Sequence, residues 1–152
     1  MSSPDWDDLR LTLQQHQYMS GVERDAERVR ATAEIFTPSE LVVEMLARFD
    51  LTRLGPGCRV LDPACGDGQF LVAAKWVKRC VFGMSEELAL SEIYGVDIRR
   101  DNVEICRRRL GGGVVIHGDA LNPQCHLNGQ SEEDRHHLRR IFCGAEDQAS
   151  LF

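Results

Sequence analysis

The chain has no apolar run long enough for a membrane span, and its first residues, Met1-Ser2-Ser3-Pro4-Asp5-Trp6-Asp7-Asp8, hold neither a basic segment nor an apolar core. A bilayer asks for about 20 consecutive apolar residues and a secretory leader for both of those parts, so a cytoplasmic protein without a membrane partner is expected. Positive charge is also short. With a net charge of -6 the chain is not expected to grip nucleic acid by itself through a broad basic face, because phosphate contacts dominate such affinity. The six cysteines follow no tight pairing pattern, which favours reduced thiols over a disulfide framework. Cys125, His126, His136, His137 and Cys143 match no CxxC or HxxxH spacing, so no metal site is expected from them.

What is present centres on Arg59 to Phe70, R-V-L-D-P-A-C-G-D-G-Q-F. Val60 and Leu61 supply an apolar β run, Asp62 ends it with a carboxylate, and Gly66 and Gly68 let the backbone pass where a Cβ would clash. Leu71, Val72, Ala73 and Ala74 resume helical spacing, so the order is strand, glycine turn, helix. A doubly wound α/β sheet presents a ligand at such a turn. Two phosphate-binding versions are excluded: Leu71 stands where a dinucleotide fingerprint needs its third glycine, and Gln69-Phe70 replace the Lys-Ser/Thr of a P-loop. Asp62 and Asp67 would repel a diphosphate and welcome a ligand that carries an ammonium group, such as S-adenosylmethionine.

The run D-P-A-C-G-D-G-Q-F at 62 to 70 resembles the cofactor motif of the N6-adenine and N4-cytosine DNA methyltransferases, D-P-x-C-G-x-G-x-F. Ile35-Phe36-Thr37-Pro38 is similar to that family's first cofactor-contacting motif, Ile93-Tyr94-Gly95-Val96-Asp97-Ile98 to its second strand, and Gly118-Asp119-Ala120-Leu121 to the end of its third. The resemblance implies a Rossmann-like methyltransferase fold of the α/β class, with a reduced parallel sheet and S-adenosylmethionine as cofactor. It also implies a set of contacts. Phe36, Thr37 and Pro38 belong to the methionine end; Asp62, Pro63, Ala64, Gly66 and Gly68 shape the bend; Phe70 and Ile98 cover base or sulfonium; Asp97 grips the ribose; Asp119 and Ala120 lie by the adenine. The same likeness extends to restriction-modification subunits and short methylase-like proteins of phages, the host cytoplasm being the site of action for the latter.

In chain order, 1–32 is expected to be a helical segment, 33–121 the cofactor domain, and 122–152 a tail. At 152 residues and 43% hydrophobic, the chain can bury one modest core. Leu9, Leu11 and Leu13, then Val22, Ala26, Val29 and Ala33, recur among charges as in an amphipathic helix packed on the sheet. Thr37, Pro38 and Glu40 read as N-cap, first helical residue and capping-box acid of a helix through Phe49. Leu54-Gly55-Pro56-Gly57 is a loop. A helix from about Phe70 toward Cys80, another from Ser85 to Ser91, a strand at Ile93 to Ile98, a helix from Asp101 to Leu110 and a strand at Val114 to Ile116 follow. Arg99, Arg100 and Arg107 to Arg109, like Arg135 to Arg140, read as solvated helix faces.

After Leu121 the resemblance thins. In the family the methyl acceptor is held by an Asn/Asp/Ser-Pro-Pro-aromatic loop at the end of the fourth strand, with the target base swung out of the duplex. Asn122-Pro123-Gln124-Cys125 lacks the second proline and the aromatic, and Ile141 to Asp147, a degenerate fourth strand at best, lacks both prolines. No catalytic residue is assigned. The function implied is N6-adenine methylation of DNA as part of an assembly; the alternative is a non-catalytic S-adenosylmethionine-binding regulatory or decoy subunit, and methylation of RNA or protein is a third reading. Without a fourth strand, Arg59 to Asp62 would be an apolar sheet edge. Its expected cover is the 138–143 segment, a second copy of the chain, or a separate subunit that carries the catalytic loop and recognises DNA.

Overall fold

The computed structural model describes residues 4–15 and 37–143. In chain order these form α1 (Trp6–Gln15), α2 (Ser39–Ala47), a 3-10 turn (Leu51–Leu54), β1 (Val60–Asp62), α3 (Gln69–Trp76), a π turn (Val77–Val81), α4 (Glu86–Ser91), β2 (Ile93–Asp97), α5 (Arg100–Leu110), β3 (Val114–His117) and α6 (Glu132–Phe142). The strands make one parallel sheet in the order β1-β2-β3. Val60 stands beside Ile93, Asp62 beside Gly95, and Asp97 beside His117. Parallel neighbours need crossover connections, which α3 with α4, and then α5, provide. The strand-helix alternation of a reduced Rossmann-like sheet is therefore present.

The main core lies on one face of the sheet, where Leu9 and Leu13 of α1, Val42, Val43 and Leu46 of α2, and Leu71 to Ala74 of α3 pack together with Ile93, Val103 and Leu110. Burial of each large side chain contributes about 1.5–3 kcal/mol. That is why α1, only 10 residues long, holds its helix by packing; so short a helix is marginal in isolation. Asp5 helps by accepting from the backbone N–H groups of Asp7 and Asp8 at 3.1 and 3.0 Å. Leu11, grouped by spacing with Leu9 and Leu13, is 55% exposed. Val22, Ala26, Val29 and Ala33 lie outside the described residues.

On the opposite face a small second cluster joins Val96 and Ile116 to Leu138 of α6. Here the expectation of a degenerate fourth strand at Ile141 to Asp147 fails for Ile141 and Phe142, while 144–147 lie outside the described residues. Residues 138 to 142 are the last turns of α6, which rests on β3, so they do not pair with β1. The reason is local: Ser131 caps the helix by accepting from Asp134 N at 3.0 Å, and three acids then occupy its first turn, favourable to the helix dipole. Arg107 completes the packing. Its guanidinium donates to the carbonyl oxygen of Val115 at 2.7 Å and pairs with Asp134 at 2.9 Å, closing the β3 edge and joining α5 to α6.

At the amino end of the sheet, the wholly buried Lys78 donates to Glu92 Oε2 at 2.6 Å, to the carbonyl of Cys58 at 2.6 Å and to that of Gly55 at 3.3 Å. Glu92 Oε1 accepts in turn from Gly57 N at 2.7 Å. The loop read from Gly55-Pro56-Gly57 is thus fastened to β2, and β1 enters the sheet in fixed register. All the described cysteines are free thiols.

Candidate functional site

The glycine turn and the end of β2 meet. Gly66 N donates to Asp97 Oδ2 at 2.9 Å, while Asp97 Oδ1 accepts from Arg99 N at 2.8 Å and Asn102 Nδ2 at 3.1 Å. A carboxylate offers about four lone-pair positions; among the described residues three are used, and one on Oδ2 remains for a hydroxyl donor. Cys65 N also bonds the carbonyl of Val96 at 2.9 Å, so the turn is stitched to β2 by backbone as well as side chain.

Local geometry explains the glycines differently from one another. Gly66 has φ of 56° and Gly68 a φ of 93°, both left-handed, so the backbone itself asks for glycine. Around Gly68 space is also closed: a Cβ there would stand 2.6 Å from Cys106 Sγ, which places the start of α3 against α5. Gly68 therefore serves helix packing behind the bend. Gly66 is the glycine nearer to Asp97.

Asp62 is half-buried at the carboxyl end of β1 and accepts from Ala64 N at 3.1 Å. Burial pushes its carboxyl above the ordinary carboxylate value, the Ala64 N–H pulls it back, and the charge of Asp97 pushes it up again. Two acids thus converge beside the turn. Asp67, read with Asp62 as a ligand-facing charge, is a correction: it is buried and pairs with the equally buried Arg109 at 3.2 Å. Arg109 also donates to the Asp67 carbonyl at 3.0 Å and to Gln69 at 2.7 Å. Burial lowers the Arg109 guanidinium from its ordinary value while Asp67 raises it. Arg109 is therefore an internal fastener, whereas Arg107, although it bonds Val115 and Asp134, and Arg108 are exposed, in keeping with the solvated-face reading at those two positions.

The thiol of Cys65 is held protonated by its neighbour Cys106, by burial, and by the charges of Asp97 and Asp62. A thiol kept neutral in this way is a packing group, not a nucleophile.

Asp119 follows β3 by two residues; its Oδ1 accepts from Leu121 N at 3.0 Å and Asn122 N at 3.2 Å, and no hydrogen bond falls on Oδ2 among the described residues. Gly118 N donates to the Asp97 carbonyl at 3.0 Å, keeping the two strand ends in register. Ile98 is exposed, whereas Phe70 packs on the main core and Ala120 on the α6 cluster. Beside Ile98 a cleft of about 510 Å³ is lined also by Arg99, Asp101, His117 and Asn128, a size within the range of small-molecule sites. Pro63 and Ala64 are exposed on the turn.

The Thr-Pro element differs from its expected form. Pro38, with ψ of 148°, is the N-cap of α2, and Thr37 stands one residue outside it without a capping bond. Thr37 precedes a proline and is thereby steered to extended backbone. Glu40, expected in a capping box, accepts instead from Gln14 Nε2 at 3.0 Å, which couples α2 to α1. Phe36 lies outside the described residues.

Asn102 and Arg109 were not singled out for these roles by sequence. Asn102 lies five residues past Asp97 in the first turn of α5, and Arg109 is 42 residues from Asp67; no motif marks either. Among the described residues there is no cluster of histidine, cysteine or acidic side chains suited to a metal ion, nor any helix long and apolar enough to cross a membrane.

A parallel sheet carrying a glycine turn, a helix after it and an acid at the tip of the next strand defines a methyltransferase-like α/β domain. The family model described as N-6 DNA methylase matches residues 23–137, and the chain belongs to that family. No solved structure matches it. Its function is accordingly of the DNA methyltransferase kind.

Proposed function

We propose that the chain binds S-adenosylmethionine at the carboxyl ends of its strands and serves N6 methylation of adenine in DNA as one member of an assembly. The observation that carries this reading is the bond from Gly66 N to Asp97 Oδ2, which joins the turn to the acid. In this reading Asp97 takes a ribose hydroxyl on its remaining lone pair. A second hydroxyl then replaces one of the donors now in place. Asp119 Oδ2 accepts from the adenine amino group, Asp62 faces the ammonium, and the amino end of α2, with Thr37 and Pro38, faces the carboxylate.

Pro63, Ala64 and Gly66 form the bend against which the methionine portion lies, with Gly68 packed behind it; Ile98, with Phe70 and Ala120 behind, supplies apolar cover. The fit is electrostatic as well as steric. Two converging carboxylates disfavour a phosphate and favour a cation, and the raised value of Asp62 reflects a charge that a bound ammonium would satisfy.

The cofactor supplies an electrophilic methyl group on a sulfonium. This chain's residues hold and orient it, and alignment with the target amine is the main source of rate. Residues 1–152 carry a net charge of -6, which supports the reading that most of the DNA contacts are made by other parts of the assembly. The same features support the second reading, a non-catalytic cofactor-binding subunit of a modification system. Radiolabelled methyl transfer to DNA separates the two: activity that requires the assembly and is lost with Asp97→Ala supports the first, and cofactor binding with no transfer in any assembly supports the second.

A further inference from the structure

Three residues of α5 hold the glycine turn and its acid, and they stand on one stripe of the helix. Asn102, Cys106 and Arg109 are spaced i, i+4 and i+7 and so share a face. Asn102 donates to Asp97 Oδ1 at 3.1 Å. Cys106 is fully buried against Gly68, its Sγ only 2.6 Å from where a Cβ on that glycine would stand. Arg109 holds the turn at three points: it donates to the Asp67 carbonyl at 3.0 Å and to Gln69 Oε1 at 2.7 Å, and it pairs with the Asp67 carboxylate at 3.2 Å.

The carbonyl contact matters most. The peptide that joins Asp67 to Gly68 is held at both of its polar groups: its N–H donates to the Cys65 carbonyl at 2.9 Å, which closes the turn, and its C=O accepts from Arg109. Such a peptide plane cannot rotate without giving up one of these bonds. Gly68, whose φ of 93° a glycine exchanges for other values at little cost, would otherwise allow that rotation. The side chains of Arg109 and Asp67 are 0% and 3% exposed, so a broken bond is not readily replaced by one to water. In the same turn, Gly66 N donates to Asp97 Oδ2.

We propose that Arg109 is a positioning residue for the cofactor: from behind the turn, and without touching the ligand, its fork fixes the Asp67–Gly68 peptide and thereby keeps the Gly66 N–H on Asp97. The inference rests on the reading of this turn as an S-adenosylmethionine site and names the side chain that sets its shape. It also gives a use to the acid between the two glycines. Asp67 holds the guanidinium against the turn, and the guanidinium holds the Asp67 carbonyl. Lysine is no substitute, because a single ammonium on a flexible stem cannot meet a carbonyl, a carboxylate and Gln69 in one fixed geometry. The stripe then divides its work along α5: Asn102 orients the acid, Cys106 seats the start of α3, and Arg109 sets the bend.

Two measurements on the full chain test it. Without ligand, amide hydrogen exchange followed by NMR should show Gly66 and Gly68 exchanging about tenfold faster in Arg109→Lys than in the wild type, while the amides of β3 keep their protection. Calorimetry with S-adenosylmethionine should show Arg109→Lys binding about tenfold more weakly. Asp67→Asn, which keeps an acceptor for the fork but loses the charge, should move both readouts the same way by about threefold, and it carries the test if Arg109→Lys does not fold. Leu13→Ala, which opens a cavity under α1, should melt earlier yet bind as the wild type does, so that positioning is separated from stability. Variants that bind as tightly as the wild type, or whose Gly66 and Gly68 amides exchange at the wild-type rate, overturn the inference while the cofactor reading stands. A wild type that binds no S-adenosylmethionine overturns the cofactor reading, and the inference falls with it.

Discussion

Gly66 donates its backbone N–H to Asp97 Oδ2 at 2.9 Å, so the bend after the first strand and the acid that ends the second behave as one unit. Asn102 holds the other oxygen from the first turn of α5. Removing that donor frees the carboxylate to turn away from any sugar. Asn102→Ala should therefore weaken S-adenosylmethionine binding about tenfold, the scale of one hydrogen bond to a charged group, as measured by calorimetry. An unchanged affinity would mean that the orientation of Asp97 does not matter.

Asp62 gives a pH signature. Its folded value is raised, chiefly by burial. The folded state therefore holds this proton more tightly than the unfolded chain, and the associated stability, complete below the unfolded value, is lost as pH rises through the raised one. Asp62→Asn should accordingly raise the melting temperature at neutral pH while weakening the binding of the cationic ligand. Wild-type affinity should fall as pH drops through the raised value, and the Asn variant should show much less of this dependence. Titration calorimetry and thermal melts at several pH values check both halves.

Gly68 can be separated from ligand contact. A Cβ at that position meets Cys106 Sγ at 2.6 Å and adopts a φ of 93°. Overpacking and left-handed strain together predict a loss of about 2–5 kcal/mol for Gly68→Ala. Cys106→Ala in the same chain should recover only the steric part. Denaturant unfolding of the single and double variants measures this directly.

Lys78 and Glu92 form a buried pair at 2.6 Å that anchors the loop before β1. Truncating one member leaves the other charge without its partner, which costs about 3–5 kcal/mol. Lys78→Met and Glu92→Leu should each destabilise strongly, and the double variant should lose clearly less than their sum in a double-mutant cycle. Strict additivity would show that the pair is not coupled.

What could be read in the sequence was what is decided over a few neighbouring residues. The glycine turn, the strand tips at Asp62 and Asp97 and the helix from Arg100 to Leu110 follow from spacing, apolar runs and left-handed glycines. What could not be read was pairing at a distance. Asp67 looked like a ligand-facing acid because its partner, Arg109, lies 42 residues away, near the end of α5. Ile141 to Asp147 suggested a degenerate strand, but Ile141 and Phe142 end a helix fixed by the cap at Ser131 and the buried Leu138, and 144–147 lie outside the described residues. Thr37 resembled a cap, yet the proline after it took that position.

Calorimetry with S-adenosylmethionine on the wild-type chain and on Asp97→Ala tests the central claim most directly. The wild type should bind one equivalent per chain, and the variant, shown folded by circular dichroism, should lose at least about a hundredfold in affinity, or roughly 2.8 kcal/mol. A folded wild type that takes up none of the compound, or a variant that binds it equally well, would contradict the claim.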